Sequence, residues 1–325
     1  MVLLDEIKRA KAVTAGACHR TPLFSAASLG RLTGTRLYFK AECLQKTGSF
    51  KVRGADNKIR SLPRGETRGV ITLSSGNHGQ ATAYIAGILN VPATILVPDL
   101  TPQSKIDAAR AYGAEVLVGG DLNNVEALRE RVLELSRERN LSIIHPFDDP
   151  LIIAGQGTIA LEILEDLPDV EVVVVPVGGG GLIAGVAAAL KQHNPAIKVY
   201  GVGPEGASSM ARSFRENEPV SLKDMPATVA DGIRTPVCGQ ITLPLAQKYV
   251  EDVVTVSDEE ITMALGLIWQ RSKLLAEPAG AAPFAAIYAR RLKLPVDTRA
   301  VCILSGGNVD LNKVGSLLSR CSHKP

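Results

Sequence analysis

The feature that most constrains the fold is a repeated alternation of short β-branched runs with segments of helical periodicity. The runs are GVITL (69–73), ATILV (93–97), AEVLV (114–118), EVVVVPV (171–177), IKVYGV (197–202) and RAVCILS (299–305). Between them, segments such as QATAYIAGILN and VEALRERVLELSRER carry apolar residues three and four positions apart, as one face of a helix does. Strands that alternate with helices and are apolar on both faces form mostly parallel sheets. The sequence therefore predicts an α/β fold.

The chain length and one polar stretch predict how this fold is divided. A chain of 325 residues is expected to form about two domains. The proline-bearing stretch HPFDDP (145–150) separates a strand-like NLSII from a helix-like segment and indicates a boundary. We expect residues 69–149 to form a small α/β domain, and residues 1–68 and 150–325 to come together as a larger, discontinuous one.

Charge and cysteine usage exclude several classes of protein. The formal net charge is +3 and the basic residues are scattered, so no stripe for nucleic acid is present. The five cysteines are widely spaced and contain no CxxC pair, which favours a reducing cytoplasm over a disulfide framework or a zinc site. The N-terminus is typical of an amphipathic helix and not of an export signal.

An apolar stretch at 170–190 is the one candidate for a membrane span. Pro176 and four consecutive glycines interrupt it, which predicts a buried strand, a tight loop and a buried helix instead. We therefore expect no membrane association, and small molecules as partners.

Three glycine-rich turns follow predicted strands. SSGNHGQ (74–80) offers hydroxyls and backbone N–H groups at a helix N-terminus, which suit a carboxylate, although a plain capped turn would look similar. GGGGL (178–182) has no Cβ atom along four residues, so its N–H groups can approach a phosphate. SGGN (305–308) places a hydroxyl at the carboxyl end of a strand, where open α/β sheets bind ligands.

A rival interpretation comes from the same glycines. Gly179, Gly181 and Ala184 fit the pattern GxGxxA, with Glu205 after the next strand as a candidate ribose acceptor. This pattern predicts an NAD-dependent or flavin-dependent oxidoreductase. It leaves SSGNHGQ unexplained, and it gives no role to Lys51, which stands between Phe50 and Arg53 in SFKVRGA (49–55).

One ligand pair would use all of these parts. A phosphate cradle, a carboxylate cradle, a hydroxyl at a sheet edge and a lysine are what is needed to hold pyridoxal phosphate and an amino acid. The lysine forms a Schiff base with the cofactor, whose ring withdraws electrons from the amino acid Cα. The sequence therefore predicts that Lys51 is a reagent.

The order of the motifs resembles that of a known family. SFKVRGA, SSGNHGQ, GQGTIALEI (155–163), GGGGL, ADGI (230–233), EPAGA (277–281) and SGGNVD (305–310) stand in the order seen in serine/threonine dehydratases and serine racemase. These are fold type II pyridoxal-phosphate enzymes, similar to the tryptophan synthase β chain. The resemblance implies two open, twisted, mostly parallel sheets flanked by helices, with the cofactor between the domains and a homodimeric assembly.

The resemblance also implies roles for individual residues. Lys51 would form the Schiff base and move the Cα proton, and Ser75 would serve the opposite face of Cα. The remaining expected contacts are grouped by ligand: Phe50, Asn77, Gly178, Gly179, Gly180, Gly181 and Ser305 for the cofactor, and Ser74, Ser75, Asn77 and His78 for the substrate carboxylate. His78 is expected to be a loop residue and not the proton carrier.

The neutral hydroxyl of Ser305 bears on the type of reaction. A hydroxyl facing the pyridine nitrogen does not stabilise a protonated ring as an aspartate does, so prompt loss of a β-substituent is favoured over a long-lived carbanion. The expected reaction removes water from a 3-hydroxy amino acid (L-threonine, L-serine or a bulkier relative) and gives a 2-oxo acid and ammonia. An amino acid racemase on the same scaffold is the alternative.

The chain departs from the family pattern in two places. Gly203 and Ser209 stand where relatives with a divalent-cation site carry carboxylates, so we expect no metal site, and Glu205 is expected to be solvated. The sequence ends soon after SGGN, so the regulatory domain of biosynthetic threonine dehydratases is not expected. The short, catabolic type is the better match.

Overall fold

The computed structural model describes residues 2–63, 65, 67–121, 124–222 and 227–321. The strands are β1 (Leu23–Ser25), β2 (Arg36–Ala41), β3 (Gly69–Leu73), β4 (Ala93–Val97), β5 (Glu115–Val118), β6 (Leu141–Ile143), β7 (Val172–Pro176), β8 (Lys198–Pro204), β9 (Asp252–Val256) and β10 (Arg299–Leu304). The α-helices are α1 (Leu4–Thr14), α2 (Ala27–Thr33), α3 (Lys51–Arg60), α4 (Asn77–Ile88), α5 (Gln103–Ala111), α6 (Val125–Arg139), α7 (Pro150–Asp166), α8 (Gly181–His193), α9 (Ser209–Glu216), α10 (Thr242–Tyr249), α11 (Asp258–Ser272), α12 (Pro278–Tyr288) and α13 (Leu311–Cys321). Short 3₁₀ helices span Glu42–Leu44, Lys46–Gly48 and Asp231–Ile233.

The strands form two sheets, which confirms the predicted α/β class. A six-stranded sheet has the order β1-β2-β10-β7-β8-β9, and a four-stranded sheet has the order β5-β4-β3-β6. All neighbouring strands are parallel except β1 and β2. Each β-branched run of the sequence forms a strand. Strands β1, β2 and β9 are additions that the apolar pattern did not reveal.

The six-stranded sheet is covered on both faces. Along β7, Val173 and Val175 enter the core that contains α7 and α8, while Val172 and Val174 enter the core that contains α11 and α12. Successive side chains of a strand point to opposite faces, so an unbroken valine run is what a doubly covered strand requires. The 170–190 stretch is thus a strand, a loop and a helix, as predicted.

The four-stranded sheet is built in the same way at smaller scale. Val70 of β3 and Ile95 of β4 pack with α3 and α4, whereas Ile71 and Leu96 pack against α6. Helix α3 also packs against α7, so it lies between the two sheets.

Among the described residues, no helix has the length and apolar character that crossing a membrane requires.

Candidate active site

The loop at 178–181 between β7 and α8 is too tightly enclosed for side chains. Gly180 has a φ of +97°, in the left-handed region that favours glycine. A Cβ atom on Gly179 would lie 2.5 Å from ring atoms of Phe147, and one on Gly181 would lie 2.9 Å from the Phe147 backbone. One on Gly178 would lie 2.7 Å from the Oγ1 atom of Thr235. The four glycines are therefore required by the close approach of neighbouring elements.

The hydrogen bonds of this loop leave its N–H groups available. The carbonyl of Gly179 accepts from the Oγ1 atom of Thr242 at 2.6 Å and from the backbone N–H of Gly239 at 3.2 Å, which fixes the loop from one side. Within the described residues, the N–H groups of Gly178, Gly180 and Gly181 have no acceptor. Unpaired N–H groups at the start of a buried helix form an anion site.

Lys51 is the first residue of α3 and is partly buried. Its Nζ atom donates to the carbonyl oxygen of Pro146 at 2.6 Å and lies 5.2 Å from the centre of the Phe50 ring. Burial lowers the pKa of this amine to about 8, and the charge of Glu277 partly opposes that shift. A positive charge at a helix N-terminus is also unfavourable. The amine is therefore much closer to its neutral, nucleophilic form than an exposed lysine is.

The lysine and the glycine loop are brought together by HPFDDP, the stretch interpreted from the sequence as a domain boundary. Pro146 holds the amine of Lys51, and the next residue, Phe147, packs on Gly179 and Gly181. Sequence reasoning missed this role because a proline between two polar residues is typical of an ordinary connection. The two prolines and the aromatic residue among acidic ones were the available signal.

The HPFDDP segment is itself held rigidly. The Nδ1 atom of His145 accepts from the backbone N–H of Asp148 at 2.7 Å, so the segment turns back on itself. The carboxylate of Asp148 accepts from the N–H groups of Gln240 and Ile241, at 2.9 and 2.8 Å, just before α10. Asp148 thus ties the Lys51 partner to the elements behind the glycine loop.

The SSGNHGQ stretch joins β3 to α4, as predicted, but only residues 74–76 lie between the two elements. Residues 77–80 form the first turn of α4, so His78 is a helix residue and not the loop residue expected. Ser74, Ser75 and Asn77 are half-buried, and the Ser74 hydroxyl accepts from the N–H of Gly76 at 3.2 Å. A Cβ atom on Gly79 would lie 2.5 Å from the carbonyl of Ser74, so this turn also depends on glycine. The N-terminus of the 12-residue helix α4 offers its N–H groups at this point.

His78 is buried and its ring faces away from solvent. Its Nε2 atom is 2.9 Å from the carbonyl oxygen of Ile144, which can only accept, so Nε2 carries the proton and Nδ1 is left as a lone-pair acceptor. Burial and the nearby Lys51 lower the pKa of His78 to about 3. The ring is therefore neutral and has no free N–H for a substrate carboxylate; only the backbone N–H of His78 is suited to that contact.

Ser305 stands at the end of β10 and is 3% exposed. Its carbonyl oxygen accepts from the backbone N–H of Phe50 at 3.0 Å, and Gly306 forms an isolated β-bridge with Ser49. The segment that carries Lys51 is therefore hydrogen-bonded to the segment that carries Ser305.

Glu277 is a site residue that sequence reasoning did not single out. It is 8% exposed, immediately precedes α12, and accepts from the Nδ2 atom of Asn77 at 2.9 and 3.2 Å. Burial raises its pKa to about 7; the Asn77 hydrogen bond opposes this, Asp231 adds to it, and Lys105 opposes it. The EPAGA motif was the signal in the sequence, since it places a carboxylate in an otherwise apolar segment.

A second group of buried charges lies beneath the site. Arg53 donates to Glu42 at 2.8 Å and to Glu162 at 2.7 Å, and the Nζ atom of Lys40 donates to Glu162 at 2.6 Å. All four side chains are buried, and their charges cancel. This cluster, called here the Arg53 cluster, joins β2 and α7 to the helix that begins with Lys51.

The loop after β8 has few oxygen anions. Glu205 is exposed, as expected, and Ser209 is buried at the start of α9. A Cβ atom on Gly203 would lie 2.2 Å from the Oγ atom of Ser208, so a longer side chain would require this loop to move. Over the described ranges, no group of three or more His, Cys, Asp or Glu side chains is placed to hold a metal ion.

These groups together fit pyridoxal phosphate. The glycine loop provides unpaired N–H groups for a phosphate, and Lys51 provides an amine with a lowered pKa for the aldehyde. Phe50 is the neighbour of Lys51 in the chain, and its backbone N–H donates to the carbonyl of Ser305. Asn77 is hydrogen-bonded to Glu277, whose charge acts on Lys51. Two hydroxyls of the Lys51 segment, on Thr47 and Ser49, are buried and have no partner in the described structure. Buried polar groups of this kind are usually satisfied by a ligand or water.

The same architecture occurs in characterised proteins. Residues 15–306 match the family model described as pyridoxal-phosphate dependent enzyme. The chain is 45% identical over 322 residues to the L-threonine ammonia-lyase of Thermotoga maritima, a match that covers 98% of this chain and 79% of that protein. The crystal structure of serine racemase from Dictyostelium discoideum superposes with a TM-score of 0.89 at 40% identity, covering 95% of this chain and 99% of that one. The processed form of threonine deaminase isoform 2 from Solanum lycopersicum also superposes with a TM-score of 0.89, at 37% identity, covering 98% of this chain and 94% of that one.

Proposed function

This chain belongs to the family of pyridoxal-phosphate dependent enzymes, and we propose that it is a dehydratase, or ammonia-lyase, of a 3-hydroxy amino acid. L-Threonine, L-serine or a bulkier relative is the substrate, and a 2-oxo acid and ammonia are the products. The cofactor is pyridoxal phosphate.

The observation that carries the proposal is the placement of Lys51. Its amine donates to Pro146, one residue from the aromatic ring that closes the glycine loop, and its pKa is lowered to about 8. An oxidoreductase that binds its cofactor at Gly179, Gly181 and Ala184 would have no role for the Lys51 amine. The lysine, the glycine loop and the Ser305 hydroxyl together support the dehydratase.

The reaction needs an amine that can take up and return a proton. When bound, the cofactor supplies a ring that withdraws the electron pair left at the substrate Cα. The Nζ atom of Lys51 removes the Cα proton, and its lowered pKa keeps a useful fraction of the amine neutral near physiological pH. Among the described residues, the hydrogen-bond acceptor of this amine is the backbone carbonyl of Pro146 and not a carboxylate.

The substrate carboxylate binds at the N-terminus of α4. We assign it to the hydroxyls of Ser74 and Ser75, to Asn77, and to the backbone N–H of His78. A helix N-terminus favours an anion, and hydroxyl groups add specific hydrogen bonds. The His78 ring, which is neutral and bound to Ile144, positions the loop and does not carry the proton.

Ser305 favours elimination over other chemistry at Cα. As a neutral hydroxyl at the carboxyl end of β10, it provides no negative charge for a pyridinium, so the electron pair at Cα is used to expel the β-hydroxyl. We therefore assign Ser305 to the ring nitrogen, Phe50 and Asn77 to the ring and its hydroxyl, and residues 178–181 to the phosphate.

A racemase is the second candidate, and the structural similarity to serine racemase is the observation in its favour. Ser75 would then exchange a proton on the face of Cα opposite Lys51. The Thermotoga maritima relative, named an ammonia-lyase and of higher identity, supports elimination as the main activity.

Three further features belong to the proposal. We place a small domain at 69–149 and a larger one at 1–68 and 150–325, with the cofactor between them. We also propose a homodimer, which the family resemblance implies. A cytoplasmic location is proposed because the odd number of cysteines without CxxC spacing suits a reducing compartment.

A substrate panel tests this function. The purified holoenzyme is incubated with L- and D-serine, L- and D-threonine and bulkier 3-hydroxy amino acids, and the release of 2-oxo acid and ammonia is followed together with the chirality of the remaining substrate. We expect 2-oxo acid release that requires the cofactor and Lys51. Inversion without 2-oxo acid would establish the racemase, and turnover with a nicotinamide cofactor alone would refute both.

A further inference from the structure

A continuous line of hydrogen bonds connects four separate segments around Asn77. The Nδ2 atom of Asn308 donates to the carbonyl of Thr47 at 2.8 Å and to the Oδ1 atom of Asn77 at 2.8 Å. The Nδ2 atom of Asn77 then donates to the Glu277 carboxylate. The backbone N–H of Glu277 donates to the carbonyl of Gly306 at 2.8 Å. We call this set, Thr47, Asn308, Asn77 and Glu277, the amide relay.

The chemistry of the groups fixes the direction of every bond in the amide relay. A backbone carbonyl can only accept, so Asn308 must turn its nitrogen, and not its oxygen, toward Thr47. The same nitrogen therefore faces Asn77, which must present its oxygen. The nitrogen of Asn77 is then directed at Glu277, which accepts through its carboxylate. The side-chain amide of Asn77 thus has one orientation, although an isolated amide could adopt two.

Backbone geometry around the relay supports a built arrangement. Thr47 has a φ of +57°, a left-handed conformation that costs a residue with a side chain of the order of 1 kcal/mol or more. Gly48 has a φ of +70°, and a Cβ atom there would lie 2.4 Å from the Oδ1 atom of Asn308. A Cβ atom on Gly306 would lie 2.7 Å from the Oε1 atom of Glu277. Two glycines and a strained threonine are therefore needed to let the relay close.

The two ends of the relay differ in burial. Glu277 is 8% exposed, whereas Asn308 is solvent-exposed. Loss of the buried acceptor would leave an N–H of Asn77 without a partner, which is the costlier defect. Glu277 is accordingly the stronger of the two anchors.

We propose that Glu277 and Asn308 are positioning residues that hold the Asn77 side-chain amide in the single orientation in which its second N–H is free to donate to the cofactor ring hydroxyl. The inference rests on the proposed function, because it assumes that Asn77 meets that hydroxyl. It gives the EPAGA and SGGN motifs a shared role, the orientation of Asn77. The sequence alone did not indicate that these two motifs meet at one residue.

Four relay variants of the full-length protein test the inference: Glu277→Met, Glu277→Gln, Asn308→Asp and Asn77→Ala. The methionine removes the acceptor, the glutamine keeps one, and the aspartate has nearly the shape of asparagine but cannot donate. Glu130→Gln and Asn90→Asp are the matched controls, since both residues are exposed. The readouts are the pyridoxal-phosphate dissociation constant by equilibrium dialysis, the absorption spectrum of the bound cofactor and the thermal midpoint.

The expected pattern follows from the direction of the bonds. Glu277→Met weakens cofactor binding by about tenfold, as expected for loss of a hydrogen bond to a charged group, and changes the cofactor absorption band. Glu277→Gln restores most of the affinity, Asn308→Asp has an intermediate effect, and the two controls have none. In the Asn77→Ala background, Glu277→Met produces no further loss, because its effect passes through Asn77.

Two outcomes would overturn the inference. One is an equal loss of affinity from Glu277→Met whether or not Asn77 is present, which would mean that Glu277 acts on its own. The other is that the glutamine is as damaging as the methionine, which would assign the effect to charge. Lys51→Ala in the substrate panel separates this from failure of the function itself: if Lys51→Ala leaves 2-oxo acid release intact, the proposed function is wrong, whatever the relay variants do.

Discussion

Lys51, which is partly buried, and Arg53, which is fully buried, are cations two positions apart on the same helix, yet their surroundings are opposite. Arg53 donates to both Glu42 and Glu162; burial alone would lower its pKa, but these carboxylates raise it. Lys51 has a backbone carbonyl as its hydrogen-bond acceptor, and burial lowers its pKa to about 8. A buried cation with two carboxylates remains charged, and one without a carboxylate moves toward its neutral form.

The difference separates structure from chemistry within one short motif. The Arg53 cluster compensates each of its charges and fixes α3 against β2 and α7, which a rigid site requires. Lys51 is placed at the start of the fixed helix with a backbone carbonyl as its hydrogen-bond acceptor, and the charge of Glu277 offsets the effect of burial only in part, so we expect the amine to be available for reaction. SFKVRGA therefore encodes both the proposed reagent, Lys51, and the support that holds it.

The largest expected effect comes from Lys51→Ala. Loss of the proposed proton carrier should reduce kcat by about a thousandfold, within the range found for general acid–base groups. The fold should not be destabilised, because the substitution removes a cation that burial disfavours. Turnover and thermal unfolding are measured together, with Lys46→Ala as the control in the same segment. Wild-type turnover in Lys51→Ala would show that Lys51 is not the reactive group, and the contrast between a reactive Lys51 and a structural Arg53 would be wrong.

Arg53→Met should show the reverse pattern. Removal of Arg53 leaves Glu42 and Glu162 buried with Lys40 as the remaining cation of the cluster, which should cost about 3–5 kcal/mol of the free energy of unfolding. Urea unfolding measures this loss. As a control, Arg212→Met breaks an exposed pair with Glu216 and should cost about 0.5 kcal/mol or less. Equal effects of the two substitutions would contradict a structural role for the Arg53 cluster.

The sequence predicted the parts of the site better than the contacts between them. The valine run of β7 and the four glycines after it can be identified locally, because strand burial and the absence of Cβ atoms are properties of one segment. The partner of Lys51 could not be predicted in this way, since Pro146 is 95 residues away and approaches only when both sheets are formed. The relay between Asn308 and Asn77 spans 231 positions and depends on the same long-range packing.

His78 illustrates a second limit of sequence reasoning. The residue type and its loop suggest a contact with the substrate, and whether the ring or the backbone makes it depends on the neighbouring strand. The carbonyl of Ile144, one residue past β6, accepts from the ring and leaves only the backbone N–H. The hydrogen-bond partner of such a polar side chain depends on which strand lies beside it in the fold, and the residue type alone does not indicate this.

A smaller effect is expected at the glycine loop. Gly179→Ala would place a methyl group 2.5 Å from the Phe147 ring, so the loop or the ring must move, at a cost of about 1–3 kcal/mol for overpacking. We expect pyridoxal phosphate to bind about tenfold more weakly, which corresponds to about 1.4 kcal/mol. Gly119→Ala is the control, because a Cβ atom there meets nothing within 4 Å. Partial recovery in Gly179→Ala with Phe147→Leu would locate the strain at the ring, and full affinity in Gly179→Ala alone would remove the loop from the proposed cradle.

The smallest effect concerns Glu277, the acidic side chain among the described residues whose charge acts on Lys51. Glu277 raises the pKa of Lys51 against the effect of burial, and its own pKa of about 7 means that it is a carboxylate above that pH. Glu277→Gln removes this charge, so the pKa of Lys51 should fall further below about 8. The rate at which the cofactor-free protein recombines with pyridoxal phosphate depends on the neutral amine. The increase of this rate with pH should therefore begin at a lower pH in the variant than in the wild type.

The stability of the variant gives an independent test of the raised pKa of Glu277. A raised carboxyl pKa stabilises the folded wild type below pH 4.5, and this contribution is lost as the pH rises to about 7, so the variant should gain stability relative to the wild type over that interval. A recombination profile that is unchanged in Glu277→Gln would mean that the carboxylate does not act on Lys51, and the contrast with the fully paired Arg53 would then rest on burial alone.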